Sequence, residues 1–254
     1  MRPKQIILIG LACLLSFTGM AQTENDAWFE QGNAAYNDGN YASAIELYNK
    51  VLSSDFVSSP LLFNLGNAYY KMKDYPHAIL NYEKALKLDP RNDDARTNLE
   101  IANLAIADRI DPIPQPFYAK WWSGLKNSFA SDTWAVLSIV LFALILFSIF
   151  LFIVSRRTSI RKTGFFVGWI AFVLLAVSWV VSLQKRSDAM RLDDAIVTTP
   201  TVTVKSSPNA TSVDLFVLHE GAKLKVLGDS EGWHKVKIAN GSVGWLPADV
   251  MELF

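Results

Sequence analysis

A chain of 254 residues that is 51% hydrophobic and only 19% charged is too apolar for one ordinary soluble domain, so the excess must be concentrated in particular segments. Lys and Arg (24) balance Asp and Glu (24), giving zero formal charge. No basic patch of the kind that steers a soluble domain to nucleic acid is present, and nucleic-acid partners are set aside.

The chain opens on Arg2 and Lys4, continues through an apolar core from Ile6 to Phe17, and reaches small residues around Gly19-Met20-Ala21. This is the pattern of a secretory signal peptide over residues 1–21, too short to span a bilayer, and it predicts export. Cys13 is the one cysteine. Its neighbours Leu11, Leu14 and Leu15 do not suit lipidation, and cleavage of the signal removes disulfides, thiol catalysis and thiolate metal sites together.

Within a domain expected over residues 25–110, the sequence from Asn25 to Asn92 repeats with a period of 34 and no gaps: Gly32 with Gly66, Asn33 with Asn67, Tyr41 with Tyr75, Ala44 with Ala78, Ile45 with Ile79 and Tyr48 with Tyr82. The second unit carries Leu62, Leu65-Gly66, Tyr69, Ala78, Tyr82, Ala85 and Pro90, and on these residues the segment resembles the tetratricopeptide repeat. Pairs of helices are expected, the first of each pair over residues 27–38 and 60–73. Gly and Ala at the repeated positions let backbones approach closely. The first repeat has Phe56 where proline is expected. A last helix, to about Asp108 with Ala95, Leu99 and Ala102 on one face, reads as the cap such stacks require.

The resemblance implies a groove lined by the first helix of each pair. By position it holds Phe29, Asn33, Tyr36 and Asn37, then Phe63, Asn64, Asn67, Tyr70 and Lys71, then Asn98. An amide side chain both donates and accepts, which suits sequence-tolerant capture of an extended strand; the alternative is that these are merely solvated helix residues. Chaperone-binding members carry Lys or Arg where this chain has Phe29 and Phe63, so an acidic C-terminal peptide is not the expected ligand.

A proline-spaced linker, Ile110 to Pro116, leads to Tyr118, Trp121, Trp122, Leu125 and Phe129 at helical spacing beside Lys120 and Lys126. With the linker it makes up residues 111–133. It reads as a short helix in the headgroup layer, the alternative being a buried soluble helix. Residues 134–155 and 165–183 contain no charge and are each long enough to cross about 30 Å of hydrocarbon. Between them, residues 156–164 carry Arg156, Arg157, Arg161 and Lys162, which places this turn in the cytoplasm and both flanking soluble segments outside. Gly164 and Gly168 have helix-packing spacing. No ionisable residue inside the spans marks an ion pathway.

From 194 to 254 the pattern alternates with period two, broken by turns at His219-Glu220-Gly221, Gly228 to Gly232, and Asn240-Gly241, the last expected to be a two-residue hairpin. Glu220-Gly221, Gly232-Trp233, Val236, Gly241 and Gly244-Trp245-Leu246-Pro247 resemble the bacterial SH3-like domain, a small all-β barrel. Trp233 and Trp245 are expected in its core or rim first and as contacts to cell-wall peptides or proline-rich segments second. His219 and His234 are read as isolated, and His77 as exposed on its helix. Catalytic residues, a metal site and a cofactor are therefore not expected.

The expected fold class is thus a multidomain membrane protein, with an α-helical tetratricopeptide-repeat domain, two transmembrane helices and a small all-β SH3-like barrel. This order of modules, the repeat and the stretch from Phe117 to Trp134 resemble the BatE proteins of Bacteroidetes aerotolerance operons. The resemblance implies a non-catalytic scaffold of the inner membrane with both soluble domains in the periplasm. Its implied partners are von Willebrand A-type membrane proteins and a MoxR-type ATPase. The competing function is a cell-wall binding module, in which the barrel holds peptidoglycan and the repeats recruit an envelope enzyme.

Overall fold

The computed structural model describes residues 24–254 apart from 112, 115 and 130. The expected signal peptide, with Cys13, lies outside the described residues. Two compact units emerge. One holds the chain up to Leu88, Asn92–Pro112 and Asp193–Phe254; the other holds Ile113–Leu192 with Asp89–Arg91.

The first unit begins with helices α1 (24–37), α2 (Tyr41–Ser53), α3 (Ser59–Lys71), α4 (Tyr75–Leu88) and α5 (Asp93–Ala105). Their starts follow from capping chemistry: Asn40, Ser58 and Asn92 each accept a backbone N–H from three residues on, and Pro60 falls in the first turn of α3. The repeated glycines are contact points. A methyl group on Gly32 would sit 2.6 Å from the Tyr48 ring, and one on Gly66 2.7 Å from that of Tyr82. Ala44 and Ala78 are fully buried from the opposite helix, as the pattern predicts. Helix α5 stops at Ala105, short of the expected Asp108.

The sheet follows as β1 (Asp194–Val197), β2 (Thr201–Lys205), β3 (Asp214–His219), β4 (Lys223–Ser230), β5 (Trp233–Ile238), β6 (Val243–Pro247) and β7 (Met251–Leu253), in the order β3-β2-β6-β5-β4-β1-β7. All pairings are antiparallel. It encloses a core of Val197, Val204, Leu218, Leu224, Val236 and Leu246. Two turns differ from expectation. Gly228, Asp229 and Ser230 belong to β4, so the tight two-residue turn is Glu231-Gly232, both residues having positive φ (49° and 82°) as a type I′ turn requires. The Asn240-Gly241 hairpin has a longer loop, closed by Ile238 N–H donating to the Ser242 carbonyl.

Repeats and sheet share a core. On β1, Ala195 and Val197 face into the barrel while Ile196 packs with Ile79, Leu80, Tyr82, Ala102 and the terminal Phe254. A strand buried on both faces reads as an unbroken apolar run, here Ala195-Ile196-Val197. Around this contact, Lys223 pairs with Glu83 at 2.8 Å and Lys84 with Glu252 at 3.0 Å. Asp108 accepts the His219 backbone N–H at 2.7 Å and lies 2.9 Å from its Nδ1. Ile110 packs against the barrel core, so the first part of the proline-spaced linker is fastened down. Helix α5 is therefore followed by barrel where another repeat would supply a second helix.

In the second unit, α6 (Phe117–Asn127) precedes two long apolar helices, α7 (Ser131–Val154) and α8 (Thr158–Met190). Stretches of 22 and 31 residues in α7 and α8 are long and apolar enough to cross a membrane. Arg161 and Lys162 are helical, so the turn between the two is 155–157, shorter than the expected 156–164. The glycine spacing is used: a methyl on Gly164 would meet the Ser148 carbonyl at 3.2 Å, and one on Gly168 the Ser148 Cβ at 3.1 Å. Ser138 and Ser178 hydroxyls lie 2.8 Å apart, and Ser178 also donates to the Trp134 carbonyl.

Candidate functional site

Two adjoining hollows run across α1, α3 and α5. The first, of about 440 Å³, is lined by Asn33, Tyr36, Asn37, Asn64 and Asn67 together with Glu30 and Tyr48. The second, of about 220 Å³, is lined by Tyr36, Asn67, Tyr70, Lys71 and Asn98 together with Tyr82 and Ile101. Eight of the sequence-derived groove residues thus come together. Phe29 and Phe63 do not line either hollow; half-buried, their rings lie against Tyr48 and Tyr82 with centroids 6.0 and 6.1 Å apart, inside the helix-packing clusters. They hold the tyrosines that the groove uses. Ile101, which the repeat pattern did not flag, sits one helical turn beyond Asn98 on the same face of α5.

The amides are bonded to one another across helices. Asn33 Oδ1 accepts from the Tyr48 hydroxyl and from Asn64 Nδ2, both at 2.9 Å. One repeat later, Asn67 Oδ1 accepts from the Tyr82 hydroxyl at 2.7 Å and from Asn98 Nδ2 at 2.8 Å. Burial pushes the Tyr48 phenol up to about 12 and raises that of Tyr82 further, so both remain hydroxyl donors at neutral pH. Each of the two acceptor oxygens takes two donors, its full complement of lone pairs. The Asn33 and Asn67 amino groups then remain as donors and the Asn64 and Asn98 oxygens as acceptors. These asparagines are half-buried and ordered by the fold, not simply solvated.

An edge-on tyrosine pair recurs in each repeat, joining a hollow-lining ring to the start of the next helix. Tyr36 meets Tyr41 at 5.3 Å and Tyr70 meets Tyr75 at 5.6 Å.

On the barrel, Trp233 and Trp245 are half-buried and outside the core cluster. Strand alternation explains their place. Val236 and Ile238 of β5 and Gly244 and Leu246 of β6 are buried, so Trp233, Lys235 and Trp245 fall on the opposite face. The register sets Trp245 opposite Lys235 and also opposite Lys205. The tryptophans are rim aromatics among lysines.

Each histidine has an aspartate partner, contrary to the expectation of isolation. His219 lies against Asp108, His234 against Asp229, and His77 has its Nδ1 2.8 Å from both oxygens of Asp74. His77 is half-buried and stacked on Tyr69 at 5.1 Å, so the expected exposed face is also corrected. Among the described residues no three His, Cys, Asp or Glu side chains are placed to hold a metal ion.

Residues 25–55 and 59–92 match the tetratricopeptide repeat family, and residues 200–252 match the bacterial SH3 domain family. No curated protein matches the chain.

Proposed function

We propose that the chain is a non-catalytic, membrane-anchored scaffold of a cell-envelope complex, which holds an extended segment of a partner protein in its asparagine-lined groove. The observation that carries this is the pair of cross-helix amide bonds. They preset donors at Asn33 and Asn67 and acceptors at Asn64 and Asn98, a spacing of hydrogen-bonding groups suited to a peptide backbone of any sequence. Preorganisation reduces the entropy lost on binding. The resemblance to BatE proteins makes von Willebrand A-type membrane proteins and a MoxR-type ATPase system the first partners to look for, in an aerotolerance or stress setting.

The anchor reading is supported from two directions. Two helices are apolar and long enough to cross a bilayer. Segments before and after them share one core, which supports both lying on one side of a membrane and so an even number of spans between them. The basic turn and the signal-like start favour the periplasmic side of the inner membrane.

A photoreactive residue at Tyr36 or Tyr70 in growing cells tests the groove: partner adducts are expected, and the double variant Asn64→Ala/Asn98→Ala should reduce them with helical content intact. Asn67 is the wrong site for this test. Its removal leaves the buried Tyr82 hydroxyl without an acceptor, at a cost of about 1–3 kcal/mol. Undiminished adducts in the double variant would count against the groove.

A second reading, retention of peptidoglycan by the barrel, draws on the outward Trp233 and Trp245 beside Lys235, a face suited to anionic, glycan-bearing polymers. Retention of the full chain on purified sacculi that is lost in Trp233→Ala/Trp245→Ala would favour it.

A further inference from the structure

Helix α6 carries the most exposed aromatic rings among the described residues outside α7 and α8. Phe117 and Trp121 are each 84% exposed and Tyr118 65%, a degree of apolar display that a water-facing surface rarely keeps without a partner. The opposite side of the same helix and the residues just after it are fastened. Trp122 Nε1 donates to Gln184 Oε1 at 2.8 Å, Lys126 Nζ to Asp188 at 2.6 Å, and Lys185 Nζ to the Phe129 carbonyl at 2.5 Å. All three partners lie on α8 just beyond Leu183, where its uncharged stretch ends. The strap therefore holds α6 at the level where the apolar surface of the helix pair gives way to polar residues.

We propose that α6 is a fixed membrane-surface element, whose Phe117, Tyr118 and Trp121 rings are covered by the headgroup layer of the bilayer. The occupant is argued from continuity and ring chemistry. The helix that carries the exposed rings is bonded to α8 just beyond its uncharged stretch, and Trp and Tyr are the side chains that favour the water–hydrocarbon boundary, with Lys120 on the same helix able to reach headgroup phosphates. The consequence is mechanical: α6 resists rotation and sinking of the helix pair at its outer end.

This inference rests on α7 and α8 spanning the membrane, and the test separates the two. Full-length chains with Phe117→Cys, Trp121→Cys, Phe147→Cys or Asn240→Cys, each labelled with an environment-sensitive fluorophore, are reconstituted into vesicles of phosphatidylethanolamine and phosphatidylglycerol. The vesicles carry a nitroxide either on the headgroup or deep in the acyl chain. Labels at 117 and 121 should be quenched about twofold more by the headgroup nitroxide than by the deep one, with the order reversed at 147 on α7 and little lipid quenching at 240. Absence of deep quenching at 147 would overturn the spanning reading itself. Normal behaviour at 147 with labels at 117 and 121 as open to iodide as that at 240 would overturn the proposal alone. Shielding at 117 and 121 from both iodide and nitroxide would also overturn it, in favour of a protein cover.

Discussion

His77 shows how a side chain read as a solvated helix residue becomes part of the structure. It opens α4 beside Asp74, whose carboxylate accepts the His77 backbone N–H as well as facing the ring. The bond to Asp74 raises the imidazole's affinity for its proton, although burial opposes this. On Asp74 burial acts upward, but the bond and charge of His77 outweigh it and hold the carboxyl below its ordinary value. A histidine raised on folding contributes stability that is complete below its unfolded pKa of about 6.5 and is lost as pH rises through the higher folded value. On the acid side, the aspartate's contribution is present above about 3.9 and is lost as pH falls through its lowered value. Both groups are about one-third exposed, so solvent screening keeps the pair to ~0.5 kcal/mol. The stability margin of the parent over His77→Ala should therefore be widest near pH 5–6 and shrink by pH 8.5, followed by urea unfolding. The constant loss of the Tyr69 stack cancels in the comparison. A margin that does not change with pH would remove the ion pair from the account.

At the level of elements, the joint between repeats and barrel is the feature that composition hid. Phe254, 4% exposed, closes the contact against α4 while Lys87 and Lys223 stand 5.7 and 5.4 Å from its ring centre. Truncation of a buried phenylalanine costs about 3 kcal/mol. Phe254→Ala should then loosen two elements at once, raising hydrogen exchange in α4 as well as in β1 and β7. Unchanged protection in α4 would mean that the repeats stand without the barrel. The repeat helices were legible because packing at a 34-residue period forces Gly66 and Ala78 to echo Gly32 and Ala44. The asparagines could be chosen for the same reason, but their mutual bonds could not, since each joins residues 31 apart on different helices. The joint was harder still: its ion pairs connect residues 111 to 168 apart, and nothing in a local pattern encodes such pairing. The Ala195-Ile196-Val197 run is the one local signal, and a period-two pattern does not capture it because that pattern describes a single buried face. Turn chemistry misled similarly, since Glu231 adopts positive φ without being Gly or Asn.

For the whole molecule, the shared core turns membrane topology into a question of folding. If α7 and α8 cross a membrane, Glu83 can meet Lys223, and Asp108 can meet His219, only when residues on both sides of the helix pair are delivered to the same compartment. A chain with an odd number of spans would leave Ile79, Leu80 and Ile196 facing water, with an apolar surface exposed on each side of the membrane. Single cysteines can report the side of the membrane in this chain, whose one native cysteine, Cys13, lies in the segment expected to be removed. Exposed positions Ser53→Cys on α2 and Asn240→Cys in the β5–β6 loop should both react with a membrane-impermeant maleimide added to spheroplasts. Arg157→Cys, in the turn between α7 and α8, should react only after permeabilisation. Labelling of Ser53→Cys and Asn240→Cys from opposite sides would mean that the repeat–barrel contact does not form in the cell. Labelling of both from the cytoplasmic side only, with Arg157→Cys outside, would preserve that contact and reverse the orientation. The groove would then be open to cytoplasmic partners, and the envelope complex would have to be sought on the other side of the membrane.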